Sequence, residues 1–129
     1  MVQTRTAVIT GVAGQDGSYL AELLLDKGYN VVGISRRKSV NAGLDNLHKN
    51  VLKNKRFDLV EGDITDHSFI VNIACKYKPE EWYNLAAQSN VGQSFKEPLY
   101  TFDINAKAVA SQLDAIRMFN PSTRFYQAS

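Results

Sequence analysis

The sequence is short of several features that place a protein quickly, and each shortage excludes something. It holds a single cysteine, Cys75, so no internal disulfide can form. No metal-ligand set stands around that thiol, and a small apolar side chain on a helix is its expected role. No apolar run approaches the roughly 20 residues of a membrane span, and no basic-then-apolar leader stands before Thr6. The 15 basic and 13 acidic residues leave a net charge of +2, too balanced to point to nucleic acid or a membrane surface. A cytoplasmic setting is expected. There is no internal repeat, low-complexity tract or linker. The two histidines, His48 and His67, stand in a weakly helical polar segment and in the first turn of a helix. Both read as surface residues, and no catalytic triad has support.

What the chain does have is concentrated near its start. The apolar run from Thr6 to Thr10 reads as a buried strand, and Gly11, Gly14 and Gly17 follow at spacings of three. An amphipathic segment then begins, with Leu20, Leu23, Leu24 and Lys27 at helical intervals. Gly11 permits a tight turn out of the strand, Gly14 removes a side chain where a diphosphate would approach, and Gly17 lets helix pack on strand. The N–H groups at the start of that helix have no intrahelical acceptor, and the helix dipole favours an anion there. Strand, glycine turn and helix together indicate dinucleotide binding, with a structural turn as the competing reading.

Strand-like and helix-like segments then alternate. Helix is expected over residues 15–27 with Gly28 as its cap, strand from Asn30 to Ser35, and a polar, basic loop from Ser35 to Gly43. Leu44 to Lys53 is weakly helical, and Phe57 to Val60 is a third strand. Asp66 can cap a helix whose buried stripe is Phe69, Ile70, Ile73, Ala74 and Tyr77, with Pro79 helping to end it. A fourth strand is expected over Trp82 to Leu85, one long helix over Leu99 to Met118, and a fifth strand over Arg124 to Ala128. The pattern implies an α/β fold, a Rossmann-type doubly wound parallel sheet in order 3-2-1-4-5 that ends after strand 5. At 129 residues and 44% apolar the chain has material for one core, so residues 1–129 are read as one domain. The ligand belongs in the crevice at the carboxyl ends of strands 1 and 4.

Every chemical motif falls at such an end. After strand 2 stand Ser35, Arg36, Arg37, Lys38 and Ser39, where an acidic residue would hold an NAD ribose. Three cations and two hydroxyls suit a 2′-phosphate, because guanidinium binds phosphate through paired, charge-assisted bonds, so NADP is favoured over NAD. A solvated basic loop is the alternative. After strand 3, Asp63 and Ile64 suit an adenine site, and Asp63 could equally cap the loop before Thr65 and Asp66. After strand 4, the small residues Ala86 and Ala87 let backbone pass close to a ribose, and Gln88 and Ser89 supply polar groups.

Taken together, Gly11 to Gly17, Arg36-Arg37, Gly62-Asp63-Ile64, Tyr83 to Ser89 and Phe125 to Ser129 resemble the extended short-chain dehydrogenase/reductases, and among them the GDP-mannose 4,6-dehydratase family. The resemblance covers essentially the whole chain. It implies an NADP enzyme that converts GDP-mannose to GDP-4-keto-6-deoxymannose, and a homo-oligomer. It also implies that Gly11, Val12, Ala13, Gly14, Gln15 and Asp16 line the pyrophosphate and that Arg36 to Ser39 hold the adenosine phosphate. Asp63 and Ile64 would touch adenine, Leu85 to Ser89 would follow the ribose and nicotinamide side, and Tyr100 would contact the cofactor. On its residues alone, Tyr100 is an aromatic near a helix start. Ala86, Asn90 and Asn105 depart from the glycine, histidine and aspartate often found in these dehydratases, which leaves another sugar-nucleotide epimerase or reductase as an alternative.

In the resembled enzymes a tyrosine, activated by a lysine four residues later, takes the sugar hydroxyl proton as hydride passes to the nicotinamide. The residues four after Tyr19, Tyr29, Tyr77, Tyr83 and Tyr100 are Leu23, Gly33, Glu81, Ala87 and Ile104, and the given sequence has none four after Tyr126, so no such pair occurs in it, and Ser129 falls one residue before an assisting hydroxyl. The chain is therefore expected to hold cofactor without a substrate domain and to be inactive alone, or else to be a stand-alone NADP-binding module. No catalytic residue and no metal ligand is assigned. Marginal solubility or association is expected from an outer helix left without partners.

Overall fold

A computed structural model describes residues 4–36, 49–86 and 95–128. Five strands form one all-parallel sheet: β1 (Thr6–Thr10), β2 (Asn30–Ser35), β3 (Phe57–Glu61), β4 (Glu81–Asn84) and β5 (Arg124–Gln127), in the order β3-β2-β1-β4-β5. The expected order is the observed one. The register aligns Thr10 with Ile34 on one side and with Asn84 on the other, and Asn84 with Gln127. The carboxyl ends of four neighbouring strands therefore lie level and form one floor.

The strands are buried on both faces because helices cover both. On one face Ala7, Ile9 and Val31 pack with Ala21, Leu24 and Leu25 of α1 (Gln15–Asp26) and Val51 of α2 (Lys49–Leu52). On the other, Val8, Val32 and Ile34 meet Ile70, Ile73 and Ala74 of α3 (His67–Tyr77) and Ala108, Ala115 and Ile116 of α5 (Ala108–Phe119). Trp82 is fully buried on that second face, and its indole N–H donates to Gln112 Oε1 at 2.7 Å. The buried Gln112 amide donates in turn to the Ala108 carbonyl at 3.0 Å, so the indole and the amide are both partnered.

Local chemistry sets the element ends. Asp66 caps α3, accepting from Ser68 N at 3.0 Å and Phe69 N at 3.4 Å. Gly28 follows α1 with φ +89°, the left-handed turn that glycine adopts freely.

Two expectations are corrected. The single helix over 99–118 is instead α4 (Pro98–Phe102), a π-helical turn (Asp103–Lys107) and α5. β4 runs Glu81–Asn84 and not Trp82–Leu85: Glu81 pairs with Ala7 and Arg124 in the ladder, and its carboxylate accepts from the Tyr29 and Tyr83 hydroxyls. Of the weakly helical stretch over 44–53, the helix in the described residues is Lys49–Leu52, and 44–48 lie outside them.

Candidate functional site

The crevice begins where β1 turns into α1. Gly11 has φ +67°, and a Cβ there would sit 2.9 Å from Ala86 N and 3.0 Å from the Leu85 carbonyl carbon. A side chain at that position would be strained by the dihedral and blocked by the end of β4. Gly17 is tighter, since a Cβ would lie 2.4 Å from Gly11 O and 2.8 Å from Val12 Cα. Helix and turn touch backbone to backbone. At Gly14 the nearest atom to an added Cβ is Gly11 O at 3.3 Å, and the residue is exposed. The three glycines thus divide as their spacing suggests: two needed for packing, and one leaving surface open.

Val12 N donates to Ile34 O at 3.3 Å and Gly14 N to Gly11 O at 3.0 Å, which tie the turn to β2 and to itself. Gly14 is the N-cap of α1, and no side chain caps the helix. The first-turn N–H groups therefore face the crevice with the positive end of the helix dipole behind them. Val12 is fully buried and supplies backbone only.

A cavity of about 340 Å³ runs along the strand ends. Its walls are Gly11, Ala13 and Gly14 of the turn, Ile34, Ser35 and Arg36 at the end of β2, Gly62 and Ile64 after β3, Leu85 and Ala86 after β4, and Tyr100 and Ile104 from the helical side. A second cavity of about 230 Å³ joins Gly11, Gly14, Gln15, Asp16 and Gly17 to Leu85 and Ala128. Asp63 is not among the lining residues. Its Oδ1 accepts from Thr65 N at 2.9 Å and Thr65 Oγ1 at 2.8 Å, the loop-capping role that competed with adenine binding. Arg37, Lys38, Ser39, Ala87, Gln88 and Ser89 lie outside the described residues, as do Asn90 and His48.

Two features of the crevice were not found from residue patterns. The first is Tyr100, whose ring lies under the Arg36 guanidinium, with Arg36 Cζ 5.3 Å from the ring centroid. The second is a buried polar chain under the floor. Thr10 Oγ1 donates to Asn84 Oδ1 at 2.5 Å, and Asn84 Nδ2 donates to Gln127 Oε1 at 2.7 Å. Thr10 Oγ1 also accepts from Leu85 N and Ala86 N, each at 3.2 Å. One hydroxyl thereby fixes the backbone that lines the crevice. Polar residues ending two adjacent buried strands were the available signal.

Elsewhere, His67 Nδ1 meets Ser111 Oγ at 2.6 Å, with Asp114 Oδ2 4.0 Å from Nε2. This is no relay, because the separation from Asp114 exceeds a hydrogen bond and that carboxylate binds Arg117 at 2.7 Å. At the amino end of the sheet, burial alone would raise the Glu81 carboxyl. Hydrogen bonds from Tyr83 and Tyr29, with Arg5 and Arg124 nearby, hold it below the ordinary carboxylate value. Among the described residues no group of three or more His, Cys, Asp or Glu side chains gathers to hold a metal ion.

Residues 8–129 match the family model described as GDP-mannose 4,6 dehydratase. The chain belongs to that family. It is 47% identical over 130 residues to a GDP-mannose 4,6-dehydratase of Vibrio cholerae serotype O1, covering 97% of this chain and 35% of that protein. It is also 47% identical to the human GDP-mannose 4,6 dehydratase, covering 95% and 35%. The chain thus spans about a third of the length of these dehydratases. Among solved structures it resembles UDP-glucose 4-epimerase from Brucella ovis in complex with NAD, with TM-score 0.76, 29% identity, and coverage of 98% of this chain and 36% of that one. It also resembles UDP-glucose 4-epimerase with UDP-glucose from Thermotoga maritima, with TM-score 0.81, 26% identity, and coverage of 96% and 37%. The recognition made from motifs is thereby borne out at the level of the dehydratase family.

Proposed function

We propose that residues 1–129 are the NADP-binding Rossmann domain of a GDP-mannose 4,6-dehydratase, a lyase that forms GDP-4-keto-6-deoxymannose in the cytoplasm as a homo-oligomer. The observation that carries this reading is the turn at Gly11, Gly14 and Gly17. It packs too tightly for side chains at two positions, leaves the third open, and leads into a crevice rimmed by Arg36. In this assignment Gly11 to Asp16 receive the pyrophosphate, Arg36 to Ser39 the 2′-phosphate, Ile64 the adenine, and Leu85 to Ser89 with Tyr100 the remainder. The cofactor would accept hydride from the sugar and return it. This chain's residues would bind and orient it, and the open backbone at Gly14 is the fit that supports a diphosphate there.

The solved neighbour from Brucella ovis holds NAD. The choice of NADP here rests on the basic run that begins at Arg36 and on the lack of an acidic residue at that strand end. Dehydration by these residues alone is not expected, since none of their tyrosines stands four residues before a lysine. Calorimetric titration of the chain with NADP and with NAD tests the cofactor. Tighter NADP binding supports the assignment and tighter NAD binding overturns it. Product formed from GDP-mannose and NADP by this chain would overturn its assignment as a cofactor-holding part only.

A further inference from the structure

Arg36 and Tyr100 meet across the rim of the crevice, one from the end of β2 and one from α4. The main chain under Arg36 is fixed, because buried Ser35 ends the strand and its carbonyl accepts from Gly62 N at 3.0 Å. The exposed arginine side chain has no such restraint of its own and would sample many rotamers. Tyr100 supplies one: its ring packs on the α3–α5 side of the core, and the guanidinium lies over it at 5.3 Å.

A guanidinium has two distinct binding surfaces. Its face is attracted to an aromatic ring, while its five N–H donors lie in the plane and point outward. A ring contact therefore leaves the donor edge free for a phosphate, which takes two parallel bonds. A carboxylate partner would occupy that edge and cancel the charge. Among the described residues no carboxylate pairs with Arg36.

We propose that Tyr100 is a positioning residue for cofactor selection, whose ring face holds the Arg36 guanidinium with its donor edge open to a ribose 2′-phosphate, so favouring NADP over NAD. The proposal rests on the 2′-phosphate assignment above. It requires the ring and not the hydroxyl.

The test is calorimetric titration of the full chain with NADP and, separately, NAD, in the wild type, Tyr100→Phe, Tyr100→Leu, Arg36→Ala and the double variant Arg36→Ala/Tyr100→Leu. Tyr100→Phe should keep the NADP preference within about two-fold, whereas Tyr100→Leu should lose about three- to five-fold of it, with NADP affinity falling further than whatever NAD affinity is lost with the ring's own contact to the cofactor. In the Arg36→Ala background, Tyr100→Leu should change the preference no further. Equal weakening of both cofactors, identical behaviour of Phe and Leu, or the same loss without Arg36 would each overturn the proposal. Far-UV circular dichroism and the urea midpoint check that each variant is folded. If Tyr100→Leu fails that check, Arg36→Lys probes the contact from the exposed side. It keeps the charge but loses the planar face, and an unchanged preference would overturn the proposal. A wild type that binds NAD as tightly as NADP defeats the 2′-phosphate assignment itself, whereas a Tyr100→Leu variant that keeps a wild-type preference defeats only the role of Tyr100.

Discussion

Two glycines three residues apart carry different burdens, and substitution separates them. Gly17→Ala drives a Cβ into Gly11 O at 2.4 Å, so turn and helix must move apart. It should destabilise the chain by about 2 kcal/mol or more in urea unfolding. Gly14→Ala meets nothing closer than 3.3 Å and should leave stability within about 1 kcal/mol. It should nevertheless weaken NADP binding about ten-fold, as measured by calorimetry, if the diphosphate passes over that backbone. A Gly14→Ala variant that binds normally would count against a phosphate site at this turn.

A single carboxylate also makes a pH prediction. Glu81 is held below its ordinary value of 4.5 because tyrosine hydroxyls and nearby arginines outweigh the effect of burial. Folding therefore favours its ionised form. That stabilisation is complete above the ordinary value and is lost as pH falls through the lower folded value. Urea unfolding between about pH 5 and about pH 3 should show a fall in stability that is shallower in Glu81→Gln. Tyr77 works at the other end of the scale, pushed up to about 12 by burial and its hydrogen bond to Asp58. Its neutral form is the favoured one, so its contribution is lost only as pH rises from its ordinary 10 toward that value.

At the scale of elements, the cap on α3 is a separable contribution. Asp66→Ala removes the acceptor for Ser68 N and Phe69 N and should cost about 1 kcal/mol, read from the urea midpoint. This cap was legible in the chain, as were the strands, because each depends on residues adjacent in sequence. Val31, Val32 and Ile34 are apolar along one short run, and they are buried on both faces of the sheet. Tyr100 was not legible in the same way. Its direction depends on the π-helical turn that follows it, and one additional residue per turn rotates what precedes it by about 100° relative to α5. No periodicity count across 99–118 contains that rotation. Period alone likewise cannot say which flank of α1 meets the sheet, and Leu23 stands on the exposed one. The link from Thr10 through Asn84 to Gln127 spans three strands and only the register brings it together.

At the scale of the whole molecule, cofactor and stability are linked. NADP at a hundred times its dissociation constant should add about 2.7 kcal/mol to folding, and a thermal melt should rise by several degrees. No rise would count against binding to the folded chain. A second whole-molecule expectation comes from Phe95 and Leu99, which are 82% and 80% exposed, and from Phe102 nearby. Large apolar side chains grouped on one short segment favour association. Sedimentation should report a mass that grows with concentration, and a monomer throughout would contradict it. Among the described residues no helix is long and apolar enough to cross a membrane.

The hydroxyl of Thr10 has a consequence for how this sequence can change over generations. It accepts two backbone N–H groups and donates to Asn84, which is committed in turn to Gln127. Valine has the shape of threonine but would take the hydroxyl partner from the Ala86 amide and the buried Asn84 oxygen, while Leu85 N would keep its 3.3 Å bond to the carbonyl of residue 10, a loss of about 2 kcal/mol or more. Serine keeps the oxygen. Lineages that vary here should therefore drift between threonine and serine at position 10, and should alter positions 84 and 127 in concert.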